Sequence, residues 1–248
     1  MGRGPQPGIR EWASRLFELG LPPALDFSSP RAWAFTLHGI HEYLTRFSGD
    51  RIAEDAQEEL AGRLLELLAA SRTADWVWFE STLTYSNAKL PHALLLAGRS
   101  MQRDDLLETG LETLDWLTGI QRSEKGHFVP IGNDGFYSRG GRRAWFDQQP
   151  IEAHATVSAC LEAYRTTGEQ RWWIEAQLAF DWFIGRNDLR VPIYDPGTGG
   201  CHDGLQPDHV NSNQGAESTL AFLLSLVEMR LAESALEVPS SEPVLAGS

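Results

Sequence analysis

The sequence predicts an all-α fold, an α/α toroid of repeated helical hairpins with long loops along one rim. Three observations predict it. Apolar residues recur at helical spacing while strand signals are sparse. A helix–turn–helix unit repeats: RSMQRDDLLETGLETLDWLTG (99–119) lies over RTTGEQRWWIEAQLAFDWFIG (165–185), with Arg99/Arg165, Asp115/Asp181, Trp116/Trp182 and Gly119/Gly185 each 66 residues apart. Each of these copies runs into a long, Gly-rich, aromatic loop, after 119 and after 185. A fixed period of tens of residues marks a repeat architecture. Hairpins stacked side by side bury each face against a neighbour, and a curved stack puts one helix of every pair on the inside.

Taken in order, helices are expected over 8–19, 30–47, 51–71, 87–102, 104–119, 150–166, 169–185 and 214–233. An earlier, weaker copy of the unit opens at Pro30 and turns at Gly49-Asp50 into a run with Leu60, Leu64, Leu65 and Leu68 on one face. Pro30 and Pro150 each suit a first helical turn, where the missing N–H has no partner to lose. Gly49, Gly119, Gly168 and Gly185 suit turns or helix ends. Loops this long in a compact domain are usually functional, and these have room for short hairpins. The chain reads as one domain over 1–236, with 1–28 a partial first hairpin and linker, and 237–248 a disordered tail.

At 248 residues and 42% apolar, the chain can bury a substantial core. No run of about 18 apolar residues occurs, and MGRGPQPGIREW lacks the apolar core of a secretory signal, so no membrane and a cytoplasmic setting are expected. A formal charge of −13, with no basic cluster beyond Arg139, Arg142 and Arg143, argues against nucleic acid and for a neutral partner or plain solubility. Cys160 and Cys201 provide neither a disulfide framework nor a CxxC metal site. The segment DPGTGGCHD offers Asp195, Cys201, His202 and Asp203, but at no zinc or EF-hand spacing. Neither a metal nor a cofactor is expected.

A polar cluster precedes two of the helices. RAWFDQQPIEAHATVSACLEAYR places Gln149 and Glu152 where HVNSNQGAESTLAFLLSL places Gln214 and Glu217, 65 residues on. Together with Asn87, these helix starts would converge with the long loops on one rim of the toroid.

The blocks DWVWFESTLTYSNAKLPHALLLAG, RAWFDQQPIEAHATVSACLEAYRTTG and GGCHDGLQPDHVNSNQGAESTLAFLLSL resemble the α/α-toroid domain of bacterial proteins that carry a glycosyltransferase name, often fused or adjacent to a transferase of the GT-B type. That domain is similar to the six-hairpin glycosidase superfamily and, more distantly, to the N-acylglucosamine 2-epimerase fold. The resemblance runs from about Ser28 to Arg230. It implies a carbohydrate-active domain with an oligosaccharide ligand and a glycosyltransferase as partner. A six-hairpin ring has twelve helices and this chain supplies about eight, so either an upstream part is missing or the ring stays open. The chain shows no Rossmann alternation and no Gly-rich sugar-nucleotide loop, so nothing in it resembles a GT-B transferase.

Glycoside hydrolysis needs two carboxylic groups across the bond, about 5–5.5 Å apart for retention or about 6.5–9.5 Å for inversion. Glu80, Asp147 and Glu152 are the catalytic candidates. Glu80 sits in WVWFE, where aromatics would desolvate it and raise its pKa as a general acid requires; the alternative is a buried Glu holding loop amides. Asp147 could instead cap the next helix, and Glu152 and Glu217 could complement helix dipoles. Substrate contacts are expected from Trp78, Tyr85 and Trp145 as stacking faces, and from Asn87, Gln148, Gln149, Asp203, Asn213, Gln214 and Glu217 as partners for hydroxyls. Core packing and loop tethering are the competing roles for these residues. His92, His154 and His202 would be the proton carriers of an epimerase, although a lone helical His more often serves packing.

Overall fold

The computed structural model describes residues 7–237. The tail expected over 237–248 lies outside these residues, apart from Glu237. Eight helices follow one another among them: α1 (Pro7–Ala24), α2 (Pro30–Leu44), α3 (Arg51–Ser71), α4 (Lys89–Met101), α5 (Asp104–Ile120), α6 (Pro150–Thr167), α7 (Gln170–Asp181) and α8 (Ala216–Glu237). The fold is the α/α toroid that the sequence predicts.

Its two layers follow from the packing. Helices α2, α4, α6 and α8 form an inner row, each against the next, while α3, α5 and α7 pack behind them on α2, α4 and α6. Each outer helix keeps a single buried stripe, as in Ala53, Ala56, Leu60, Leu64 and Leu68 of α3. The central inner helices are enclosed on all sides. Every residue from Leu90 to Gly98 of α4 and from Glu152 to Ala163 of α6 is buried, so no amphipathic stripe remains there. At the end of the row, α8 leaves Leu220, Leu223, Leu224, Val227 and Leu231 exposed. Among the described residues no helix is long and apolar enough to cross a membrane.

Local chemistry sets the helix ends. Pro30 and Pro150 occupy the first turns of α2 and α6, and Asp50 caps α3 by accepting from the N–H groups of Ile52 at 3.0 Å and Ala53 at 3.3 Å. Gly168, at φ +70°, closes α6 in the left-handed conformation. Gly119 departs from expectation: it lies inside α5, one residue before that helix ends. The α7 helix stops at Asp181 rather than 185, because Trp182–Gly185 turn back through bonds from Ile184 and Arg186 to the Asp181 carbonyl. The first helix runs on through Pro22-Pro23, with Leu21 buried behind it.

Three long loops, 72–88, 121–149 and 182–215, join the helices at the N-terminal end of the inner row. Isolated antiparallel bridges close within the second loop (Arg122 to Phe128) and within the third (Tyr194 to Cys201, Leu205 to Val210), while the only named strands among the described residues come from two different loops. β1 (Thr82–Leu83) pairs antiparallel with β2 (Tyr137–Ser138), in the register Thr82 to Ser138 and Leu83 to Tyr137. A bridge between Gln148 and Leu205 ties the second loop to the third. The core beneath is rich in tryptophan: Trp78, Trp172 and Trp182 are fully buried, and Trp78 stacks on Trp116 with centroids 6.0 Å apart. Cys160, midway along α6, and Cys201, in the third loop, are both buried thiols.

Candidate functional site

Arg31 organises the rim between α2 and α4. It is 5% exposed, and its guanidinium serves three acceptors: the Glu80 carboxylate, Oδ1 of Asn87 at 3.1 Å and the Tyr85 carbonyl at 2.5 Å. The Tyr85 ring lies 5.2 Å from the same guanidinium and is 51% exposed. The Glu80 side chain retains 29% of its surface. Expectation and structure differ here. The aromatic neighbours do not enclose the Glu80 carboxylate; Trp76 bonds the Glu80 backbone carbonyl instead, at 2.7 Å.

The same network continues inward to Glu152, which is 3% exposed. Its carboxylate accepts from Asn87 Nδ2 at 2.9 Å, from the Asn87 N–H at 3.3 Å and from the N–H of Ser86, a residue held at φ +48°. Burial pushes its pKa up to about 7, against the pull of the bonds from Asn87 and Ser86. Glu152 therefore does not simply complement a helix dipole. It ties the 72–88 loop to α6 from a buried position.

A second node is centred on Gln148, which is fully buried. Its amide donates to the Trp145 carbonyl at 2.8 Å and to Asp188 at 2.6 Å, and accepts from the indole of Trp182 at 2.7 Å. Asp188 also meets His127 at 2.9 Å. With all its polar atoms engaged, Gln148 holds loops together and does not face the rim opening. Neighbouring Asp147 stands at φ +56° and accepts from Gln206 at 2.7 Å. It does not cap α6. The N-cap residue is Gln149, half-buried, whose side chain makes no capping bond. Trp145 is 51% exposed, with the Arg143 guanidinium 4.4 Å from its ring.

The third node lies ahead of α8. Asp203 accepts from Asn213 Nδ2 and from the Gly215 N–H at 2.7 Å. Partial burial opposes its charge, but bonds from Ser218, Asn213 and Gly215 outweigh burial and lower its pKa. Gln214 accepts from Thr198 at 2.7 Å and donates to Asp195 at 3.2 Å. Glu217 is exposed in the first turn of α8, where it complements the dipole. His202 stands beside Gln214 in this loop, whereas His92 and His154 lie on the inner helices. Among the described residues no group of three His, Cys, Asp or Glu side chains converges as a metal site.

The structure thus joins Glu80, Tyr85, Asn87 and Glu152 in one network, places Asp147 in a second and Asp203, Asn213 and Gln214 in a third. It removes Trp78 from the stacking faces, because that indole is sealed in the core at 0% exposure. Arg31, Asp188 and Gln206 went unread in the sequence. Only Arg31 carried a signal, a cation in a first helical turn where the dipole favours an anion.

These features define an α/α toroid whose loops build a polar, aromatic rim over the N-termini of the inner helices. No family model matches the sequence, and no curated protein matches it. Among solved structures, the chain is similar to a GH76 alpha-mannanase of Bacteroides thetaiotaomicron at 11% identity and TM-score 0.59, covering 82% of this chain and 52% of that one. The chain thus spans about half the mannanase length. It is similar to the Lin0763 protein from Listeria innocua at 11% identity and TM-score 0.60, covering 93% of this chain and 80% of that one. A third likeness, at 9% identity and TM-score 0.50, is to an unsaturated glucuronyl hydrolase specific for heparin, covering 86% and 77%. At these identities the likeness is one of fold.

Proposed function

We propose that the rim binds an oligosaccharide and cleaves or transfers one of its glycosidic bonds, with Glu80 and Asp147 as the carboxylate pair. One observation carries the reading: the buried Arg31 holds both a solvent-reaching carboxylate, Glu80, and the residue whose ring is exposed, Tyr85. An aromatic ring and a fixed carboxylate anchored on one guanidinium suit a pyranose ring and its scissile bond. In this reading Glu80 and Asp147 share the two carboxylate roles, with Tyr85 and Trp145 stacking on sugars and Gln149, Asp203, Asn213 and Gln214 meeting hydroxyls. The left-handed backbone of Asp147 is the kind of outlier that clusters at working sites. Two unpaired thiols suit a cytoplasmic setting.

The test is anomeric proton NMR of the protein with α- and β-linked gluco-, manno- and galacto-oligosaccharides. New anomeric signals are expected, and they should vanish in Glu80→Gln and in Asp147→Asn while both variants keep the wild-type fold. Unchanged turnover in both variants would sink the assignment. A second reading, a glycan-binding module serving a glycosyltransferase, is favoured by the exposed leucines of α8, a face for a partner. It predicts saturable sugar binding with no product.

A further inference from the structure

A hydroxyl, an imidazole and a carboxylate line up where the second rim loop begins, and the proposed glycosidic chemistry uses none of them. Ser123 Oγ lies 2.9 Å from Nδ1 of His127, and Nε2 of the same ring lies 2.9 Å from Oδ1 of Asp188. These are the distances of a nucleophile to its base and of that base to the group that orients it. The far end of the line is held as well, since the other Asp188 oxygen accepts from the buried Gln148 amide at 2.6 Å.

The hydrogen bonds run in one direction. An aspartate only accepts, so Nε2 of His127 carries the ring proton and Nδ1 is left to accept the proton of the Ser123 hydroxyl. The two ring nitrogens exchange the places they hold in the serine-protease triad, where the nucleophile faces Nε2. Neutral imidazole is a base at whichever nitrogen lacks the proton, so the chemistry is the same. The backbone N–H of His127 donates to Ser123 Oγ at 3.1 Å, which pins the oxygen without taking its proton. Solvent reaches all three: Ser123 and His127 are half-buried, and the His127 and Asp188 side chains keep 19% and 26% of their surface.

Donors for an oxyanion stand beside the nucleophile. The Gly126 N–H closes a turn on the Ser123 carbonyl at 2.9 Å, which makes Glu124 and Lys125 the central residues of that turn. Among the described residues neither of their N–H groups donates to a backbone carbonyl. The N–H of the residue after a nucleophilic serine is an oxyanion donor in other hydrolases. Glu124 and Lys125 are exposed, so an acyl group placed there meets solvent and a short one suits the position.

We propose that Ser123, His127 and Asp188 form a second catalytic site, one that hydrolyses esters of short carboxylic acids. Ser123 Oγ attacks the ester carbonyl while its proton passes to His127 Nδ1. The tetrahedral adduct then expels the alkoxide, which takes that proton and leaves as the alcohol. Water next attacks the acyl-Ser123 ester and gives a proton to Nδ1; the carboxylic acid departs as Ser123 Oγ recovers that proton. Asp188 is the positioning residue, holding the ring and its tautomer. This activity lies beyond the carbohydrate reading of the rim and does not depend on it.

The experiment treats the full chain with p-nitrophenyl acetate and, separately, with a fluorophosphonate whose attachment point is mapped by mass spectrometry. Nitrophenol release above the buffer rate is expected, with the phosphonyl group on Ser123. Ser123→Ala and His127→Gln should each lower the release about a hundredfold and abolish the label, with circular dichroism unchanged. The ¹⁵N spectrum of the neutral His127 ring should place its proton on Nε2, a signature that a loop tether alone does not require. Release that survives both substitutions, a wild-type chain without label on Ser123, or a His127 proton on Nδ1 overturns the triad. The label and the ring spectrum are read on the wild-type chain, so they decide the matter even where a substituted chain fails to fold.

Discussion

The side-chain carbonyl of Gln148 accepts the indole N–H of Trp182 at 2.7 Å. Trp182 belongs to the repeated DW-x-x-G motif that ends an outer helix, so a repeat position in the scaffold holds the residue beside Asp147. The amide nitrogen of Gln148 donates in turn to the Trp145 carbonyl and to Asp188. One amide thus fixes the second rim loop against the third.

Gln148→Ala should therefore lower stability by about 2–3 kcal/mol, because it leaves the buried Trp182 N–H without a partner. Urea unfolding of the two proteins measures this. A loss below about 0.5 kcal/mol would mean that water replaces the amide.

Glu152 gives a pH signature with a defined sign. Its pKa is raised from 4.5 to about 7 in the folded chain, so the folded state binds its proton more tightly than the unfolded state does. That contribution to stability is complete below pH 4.5 and is lost as pH rises to 7, on the order of 3 kcal/mol in all. Glu152→Gln should remove this segment of the profile. Parallel stability curves for wild type and variant between pH 4.5 and 7.5 would refute the assignment.

Arg31→Lys keeps the charge but cannot serve Glu80, Asn87 and the Tyr85 carbonyl from one planar fork. We expect a loss of about 2 kcal/mol in thermal unfolding and weaker sugar binding at the rim. A variant that melts and binds like wild type would show that the fork is dispensable.

Gly132→Ala tests the close approach of two segments of the 121–149 loop. A Cβ there would lie 1.9 Å from the Phe146 carbonyl oxygen, a contact that only backbone movement relieves. Stability should fall by at least about 2 kcal/mol, with Trp145 fluorescence altered. An unchanged melting temperature would contradict the packing.

The helices were legible because local chemistry marks them: prolines at 30 and 150, the turn at Gly49-Asp50, the Gly168 terminator, and apolar spacing in α3. Tertiary placement was not legible. Glu152 and Glu217 look equivalent in sequence, yet α6 is flanked by α4 and α8 while α8 ends the row, so one carboxylate is sealed and the other solvated. Trp78 reads as a loop tryptophan, but the loop folds its indole onto Trp116. Arg31 reaches Glu80 and Asn87 across 49 and 56 residues of chain, a separation that no local pattern reports. The His127–Asp188 contact likewise joins two loops whose register depends on packing alone.

The two buried thiols also bear on how the molecule opens. Burial raises the pKa of both, that of Cys201 to about 12, so the reactive thiolate is scarce as well as inaccessible. An alkylating reagent must wait for a fluctuation. Cys201 sits in the third rim loop and reports the loosening of that loop, whereas Cys160 sits midway along the central helix and reports disassembly of the inner row. The chain thus carries two native clocks, one for each depth of its structure.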